Sequence, residues 1–343
     1  MVNPSGPAIA ITTVSLPTPA LRAFASSGMQ VIVVGDEKTP RFELAGCRYY
    51  GIQDQLATGL LTAQALPRNH YCRKNLAYLI AMQLAAAPIL ESDDDNLPYM
   101  SFFGTRSREI ECGHLKDAGW VNVYRYFTDA AIWPRGFPLR LIRNPSPALD
   151  SLARLRLSAP IQQGLADDDP DVDAVYRLVY GSSCCFDSNN IQVALGRGSW
   201  CPFNSQNTAW WPEAYCLMYL PSNCSFRMTD IWRSFVAQRI AWENGWSVLF
   251  HGPTTRQIRN EHDLMRDFAD EVPGFLHNER ICEGLAALTL LPGPNRIPEN
   301  MRSCYAAMIE FGVLPQQEMV LLEAWLADFQ RCFCPVAPTS THA

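Results

Sequence analysis

Three short runs of β-branched and apolar residues punctuate the first ninety positions, with helix-length segments between them. The runs are "AIAITTV" (8–14), "QVIVVGD" (30–36) and "APIL" (87–90). Side chains of this kind pack well on a pleated surface, and runs so short and so apolar read as buried strands. Between the first two, "TPALRAFASSG" reads as a helix closed by Gly28, since glycine readily takes the left-handed turn that ends a helix. After the second, "IQDQLATGLLTAQAL" (52–66) and "RKNLAYLIAMQLAAA" (73–87) read as helices. In the latter, Leu76, Leu79, Ile80 and Leu84 share one helical face. Strand–helix–strand–helix–strand predicts a doubly wound α/β fold with helices flanking the sheet.

The middle of the chain is less regular. "AYCLMYLP" (214–221) and "WSVLFHGP" (246–253) read as strands. "DIWRSFVAQRIAWENG" (230–245) reads as a helix between the polar pair Thr229-Asp230 and Gly245. From about residue 277 three helical segments follow. In the last, Leu322, Trp325, Leu326 and Phe329 form a stripe that reads as packing. The expected organisation is a sheet domain over 1–275, a helical extension over 276–334 and a loose tail over 335–343.

Composition narrows the function classes. The 343 residues carry a formal net charge of −6, which argues against a nucleic-acid partner. No stretch of about 18 apolar residues is present, and "MVNPSGPAIAITTVSLPTP" has neither a basic n-region nor an apolar h-region. The 12 cysteines are scattered, without zinc spacing, and read as reduced thiols. The sequon Asn223-Cys224-Ser225 is a pattern frequent by chance. A reducing, cytoplasmic compartment is therefore the expectation.

Open α/β sheets bind ligands beyond the carboxyl ends of their strands. Polar clusters stand at three such ends: Thr12-Thr13, "GDEKTP" with Asp36 and Lys38, and "SDDDN" with Asp93, Asp94 and Asp95. Three adjacent carboxylates repel one another unless water or a cation absorbs the charge. If strand geometry persists, Asp93 and Asp95 point to one side, which suits a hard cation such as Mg²⁺ or Mn²⁺ with positions open for a diphosphate. Arg73 and Asn75 open a helix beside them, a place suited to phosphates. There is no G-x-x-x-x-G-K-[ST] and no G-x-G-x-x-G behind the first strand, which excludes a P-loop and disfavours a dinucleotide site.

These residues carry a resemblance. "VVGDEKTP", "RKNLAYLIAMQLAAAPILESDDDN", "WPRGFPL" (133–139), "PIQQGLADDDPDVDAVYRL" (160–178), "CPFNSQNT" (201–208) and "TDIWRSFVAQR" (229–239) resemble the STELLO family of glycosyltransferase-like proteins. More distantly they resemble the UDP-arabinopyranose mutases. The resemblance implies a GT-A fold, a Rossmann-like mixed sheet that binds a nucleotide sugar, with Asp93-Asp94-Asp95 as its D-x-D motif holding Mn²⁺. It implies that Thr12, Thr13 and Asp36 frame the base and ribose of a UDP-sugar, and that His251 completes the metal shell. Asp230, opening a helix, resembles the general base of inverting members, which would take the proton of an acceptor hydroxyl on a glycan. Asp171 and Asp173 in "DPDVD" are rivals for that role, and Arg135 and Arg233 are candidate phosphate or carboxylate clamps. A mutase-like isomerase and a non-catalytic interaction protein remain alternatives to the transferase.

Overall fold

Residues 6–181, 183–187, 190–258 and 263–333 are described by the structure, a computed structural model, and the tail expected over 335–343 lies outside them. The three expected strands form β1 (Ala8–Thr13), β2 (Gln30–Gly35) and β4 (Ile89–Ser92), joined by an edge strand β3 (Cys47–Tyr50). All four run parallel, with β1 between β2 and β4. Helix α1 (Pro19–Ala25) connects β1 to β2; the Thr18 hydroxyl accepts from the Leu21 N–H, and Pro19 sets the first turn. The single helix expected over 52–66 is two, α2 (Ile52–Ala57) and α3 (Leu61–Ala65). Gly59 between them takes a φ of 67°, a conformation that ends a helix. Helix α4 (Lys74–Gln83) then returns the chain to β4.

The rest of the sheet is built from β5 (Asn96–Pro98), β6 (Glu109–Leu115), β8 (Ala153–Ser158), β9 (Ile161–Asp167), β10 (Gln192–Leu195), β12 (Asn207–Trp210) and β13 (Val248–Gln257); β7 (Gly119–Trp120) and β11 (Ser199–Trp200) pair apart from it. Among the described residues the strand order is β3-β2-β1-β4-β12-β9-β13-β10-β6-β8, with β5 against β13. Antiparallel joins at β4–β12, β12–β9, β13–β10 and β6–β8 make the sheet mixed. Helices α5 (Ala174–Tyr180), α6 (Thr229–Glu243), α7 (Leu264–Ala287), α8 (Ile297–Glu310) and α9 (Gln317–Phe333) complete the fold. It is a mixed α/β sheet flanked by helices with a C-terminal helical region, compatible with a Rossmann-like fold. None of the described helices is long and apolar enough to cross a membrane.

Three further elements differ from expectation. The apolar run at 214–221 is not a strand: Pro212–Met218 is a 3-10 helix, buried so completely that its apolar pattern carries no period. Strand β13 does not stop at Gly252-Pro253; its register shifts between His251 and Thr255 and pairing with β9 resumes. Helix α7 begins at Leu264, well before 277, and runs unbroken past residue 275 with Pro273 inside it.

Buried polar links hold these parts together. Glu91, on β4, accepts both terminal nitrogens of Arg233 on α6, at 2.8 and 2.9 Å, with Trp210 and Tyr78 as further donors. Arg233 is thus a strut between β4 and α6 rather than a clamp for ligand. On α9, Asp328 accepts the Thr62 N–H at 2.7 Å, and Glu318 accepts the Ser222 and Asn223 N–H groups. Helix α9 is therefore bound to α3 and to the 222–223 segment by hydrogen bonds as well as by apolar contact.

Candidate functional site

Strand order turns between β1 and β4, the place where open α/β sheets form a ligand crevice. A cavity of about 270 Å³ opens there. Its walls include Thr12 and Thr13 from the end of β1, Asp36 from β2, and Asp93, Asp94 and Asp95 from the turn after β4. Arg135, Asp171, Arg227 and Asp230 close the far side, and Gln206, Phe226 and Gln257 complete the lining.

Each aspartate of the turn is held by a different neighbour. The strand ends at Ser92, so the alternation expected to select Asp93 and Asp95 does not apply, and all three reach the cavity. Lys74, wholly buried, donates to Asp93 Oδ1 at 2.7 Å and to the carbonyls of Ser92 and Ser205 at 2.6 and 2.8 Å. The Tyr71 hydroxyl also donates to Asp93 Oδ1, at 2.8 Å, and lies 2.6 Å from Ser205 Oγ. Thr13 donates to Asp94 across the crevice, yet burial still holds the Asp94 carboxyl above the usual carboxylate range. Asp95 accepts from Asn96 at 3.1 Å and from Gln257 Nε2 at 2.9 Å.

On the opposite wall Arg135 is a hub. Its Nε and Nη2 donate to Asp171 at 2.7 and 2.9 Å, and Nη1 and Nη2 donate to Asp230 at 3.0 and 2.9 Å. The remaining Nη1 proton goes to the Arg227 carbonyl. A guanidinium has five N–H donors, and all five are used. Arg135 therefore has none left for a phosphate, contrary to the clamp expected of it. Burial alone would raise Asp171, but the charge and hydrogen bonds of Arg135 outweigh it and hold the carboxyl below its ordinary value. Asp230 is as fully engaged. Oδ1 accepts from Arg135 and the Ile231 N–H, and Oδ2 from Arg135 and from the Ser205 N–H and hydroxyl at 3.3 and 3.4 Å. It lies in the first turn of α6, where no side chain caps the helix.

The other expected residues lie elsewhere. Arg73 is buried against Gln55 and the Leu66 and Pro67 carbonyls, and Asn75 exchanges two hydrogen bonds with Leu220; neither meets the cavity. Lys38 is exposed outside it. Asp173 caps α5 through the Tyr176 N–H and accepts from Trp133, and burial pushes its carboxyl up to about 7. His251 lines a separate small cavity with Arg106, Gln162 and Asn207, its Nδ1 2.9 Å from the Gly252 carbonyl, and burial pushes the ring down to about 4. The β13 residue that reaches Asp95 is Gln257, because the strand continues past His251.

Among the described residues no group of three or more His, Cys, Asp or Glu is arranged to hold a metal ion, so Asp93, Asp95 and His251 do not form such a set. The carboxylates at the turn suit a different arrangement. Mg²⁺ or Mn²⁺ is commonly held by one or two carboxylates together with water and ligand phosphates, without a protein cage. Charge points the same way. Six aspartates line the cavity against two arginines, and the second, Arg227, is paired with Glu271 at 2.8 Å.

Fold and cleft together define an α/β protein with an acidic ligand cavity at the turn of its strand order. The family model described as STELLO glycosyltransferases matches residues 227–334, a stretch that includes Arg227, Asp230 and Gln257 of the cavity. Over 340 residues, 93% of this chain, the sequence is 26% identical to each of two Arabidopsis thaliana proteins, "Probable glycosyltransferase STELLO1" and "Probable glycosyltransferase STELLO2". The chain spans 44% of the length of each. A solved structure titled "Crystal Structure of a Mycobacterial Protein" aligns with 80% of this chain and 75% of its own, at TM-score 0.39 and 12% identity. By family model and by sequence the chain is thus similar to the STELLO glycosyltransferases.

Proposed function

We propose that the cleft binds a UDP-sugar together with Mn²⁺ or Mg²⁺ and transfers the sugar to an acceptor hydroxyl. The observation that carries this reading is the charge of the cavity, six aspartates against two arginines that are both committed to carboxylates. A diphosphate entering alone meets repulsion at contact range, whereas a divalent cation between it and Asp93–Asp95 reverses the sign. When bound, the cation would neutralise charge building on the departing diphosphate.

The chain's own residues do the positioning. Tyr71 and Lys74 fix Asp93, Thr13 fixes Asp94, and Gln257 and Asn96 fix Asp95. Asp36 accepts the Glu37 and His70 N–H groups at 2.7 and 3.0 Å, one on each oxygen. Each oxygen keeps a second lone pair, enough to receive an imino N–H of uracil. Proton removal by Asp230, the inverting reading, requires Arg135 to release an oxygen that now accepts several donors. We therefore assign Asp171, Arg135 and Asp230 to holding the far wall of the cavity in place.

Release of UDP from a panel of UDP-sugars, with Mn²⁺ or with EDTA, tests the reading. Metal-dependent release from at least one sugar is expected. Absence of release and of binding across the panel would sink it.

A further inference from the structure

Phe226 stands at the rim of the cavity on a short 3-10 turn (Phe226–Met228) with 52% of its surface exposed. An exposed phenylalanine is ordinary on its own. The turn that carries this one is anchored on both sides. Asn223 is tied to Glu318, Ser225 donates to the Asp270 carbonyl, Arg227 pairs with Glu271, and the Arg227 carbonyl accepts from Arg135. The Phe226 ring meets the Tyr71 ring edge-on, centroids 5.7 Å apart at 74°, and the Tyr71 hydroxyl reaches Asp93. A flat, apolar surface thus borders the carboxylate end of the cavity, where Val14 and Tyr71 also line the wall.

That combination fits a ligand part with an apolar face and a polar rim. A pyranose ring is such a part: its axial C–H groups present an apolar face and its hydroxyls project sideways. On the cavity wall the Gln206 and Gln257 amides are bonded to one another and to Asn204 and Asp95, and each keeps one N–H and one oxygen lone pair to meet them. A charged group in the same place would meet the carboxylates instead. We propose that Phe226 is the platform on which the sugar ring of the donor is stacked, and that it thereby sets sugar preference. This rests on the nucleotide-sugar reading above.

The test compares UDP with UDP-glucose, UDP-galactose and UDP-N-acetylglucosamine by calorimetry in Mn²⁺. The proteins are the wild type, Phe226→Ala, Phe226→Leu and Phe226→Trp. Phe226→Ala should leave the Kd of UDP within about twofold and weaken the tightest UDP-sugar about 5–10-fold, the range of one aromatic contact. Phe226→Trp should retain the wild-type difference between sugar and UDP, and Phe226→Leu, apolar but not flat, should retain little of it. UDP serves as the internal control for folding and for the nucleotide site. If Phe226→Ala weakens UDP as much as the sugars, or changes neither, the platform is refuted while the nucleotide reading stands. Wild-type protein that binds UDP but no UDP-sugar more tightly refutes it as well. Wild-type protein that binds no UDP removes both readings.

Discussion

Replacing Arg135 by methionine removes the one cation shared by two buried carboxylates. Five acceptors each lose a donor at once: four oxygens of Asp171 and Asp230, and the Arg227 carbonyl. Arg135, Asp171 and Asp230 are each 5% exposed, so water does not readily replace the guanidinium. Breaking a buried pair in this way costs about 3–5 kcal/mol. At about 2.1 cal/mol/K per residue, a chain of 343 residues has an unfolding entropy of about 0.7 kcal/mol/K, so Tm should fall by about 4–7 °C at pH 7.5. The pH dependence gives a second handle. In the wild type Asp171 lies below its ordinary value, so its contribution is present at neutral pH and lost as pH falls through the acid range. Without Arg135 only the Arg227 charge and the Asn204 hydrogen bond oppose burial, so Asp171 takes up its proton at higher pH than in the wild type and the variant loses less stability as pH falls. The gap between variant and wild type should therefore narrow on acidification, as read by calorimetry from pH 7.5 to pH 5. A Tm within about 1 °C of wild type at pH 7.5, or a gap that widens in acid, would refute the hub.

Two further substitutions probe other parts of the account. His251 has a folded value of about 4, below its ordinary 6.5, so protonation favours the unfolded chain and stability is lost as pH falls from about 6.5 to 4. His251→Gln should flatten that limb by up to about 3 kcal/mol in denaturant titrations, and identical slopes would count against an enclosed neutral ring. Gly136 takes a φ of 84°, and a Cβ there would lie 2.5 Å from Ile231 Cγ2. Gly136→Ala should cost about 1–3 kcal/mol by straining the segment that carries Arg135, and an unchanged Tm would show that the segment yields.

Much of the crevice was legible because its signals are local. Three apolar runs with polar ends, and a rule about where α/β sheets bind ligands, suffice to bring Thr12, Thr13, Asp36 and Asp93–Asp95 to one place. The far wall was legible only in pieces. Arg135, Asp171 and Asp230 carry charge and so drew notice, but their mutual saturation depends on contacts between distant segments. Gln206, Gln257 and Tyr71 gave no signal, since amides and phenols are common everywhere and carry no chemistry in isolation. His251 was chosen because the resemblance implies a late histidine on the metal and because a strand was read as ending beside it. Gly252-Pro253 normally ends a strand, and here an irregularity carries β13 through to Gln257. Arg73 and Asn75 open α4 as expected, but they turn inward because neighbouring carbonyls need donors.

The central claim is that nucleotide enters this acidic cleft only with a divalent cation. Calorimetric titration of UDP into the protein, in Mn²⁺ and again in EDTA, tests it most directly, with Asp95→Ala run alongside. The account predicts binding in Mn²⁺ and a loss of at least about 100-fold in EDTA or in Asp95→Ala, because the diphosphate then meets the acidic cavity without a well-held cation between them. Equal affinity for UDP with and without the metal would contradict it.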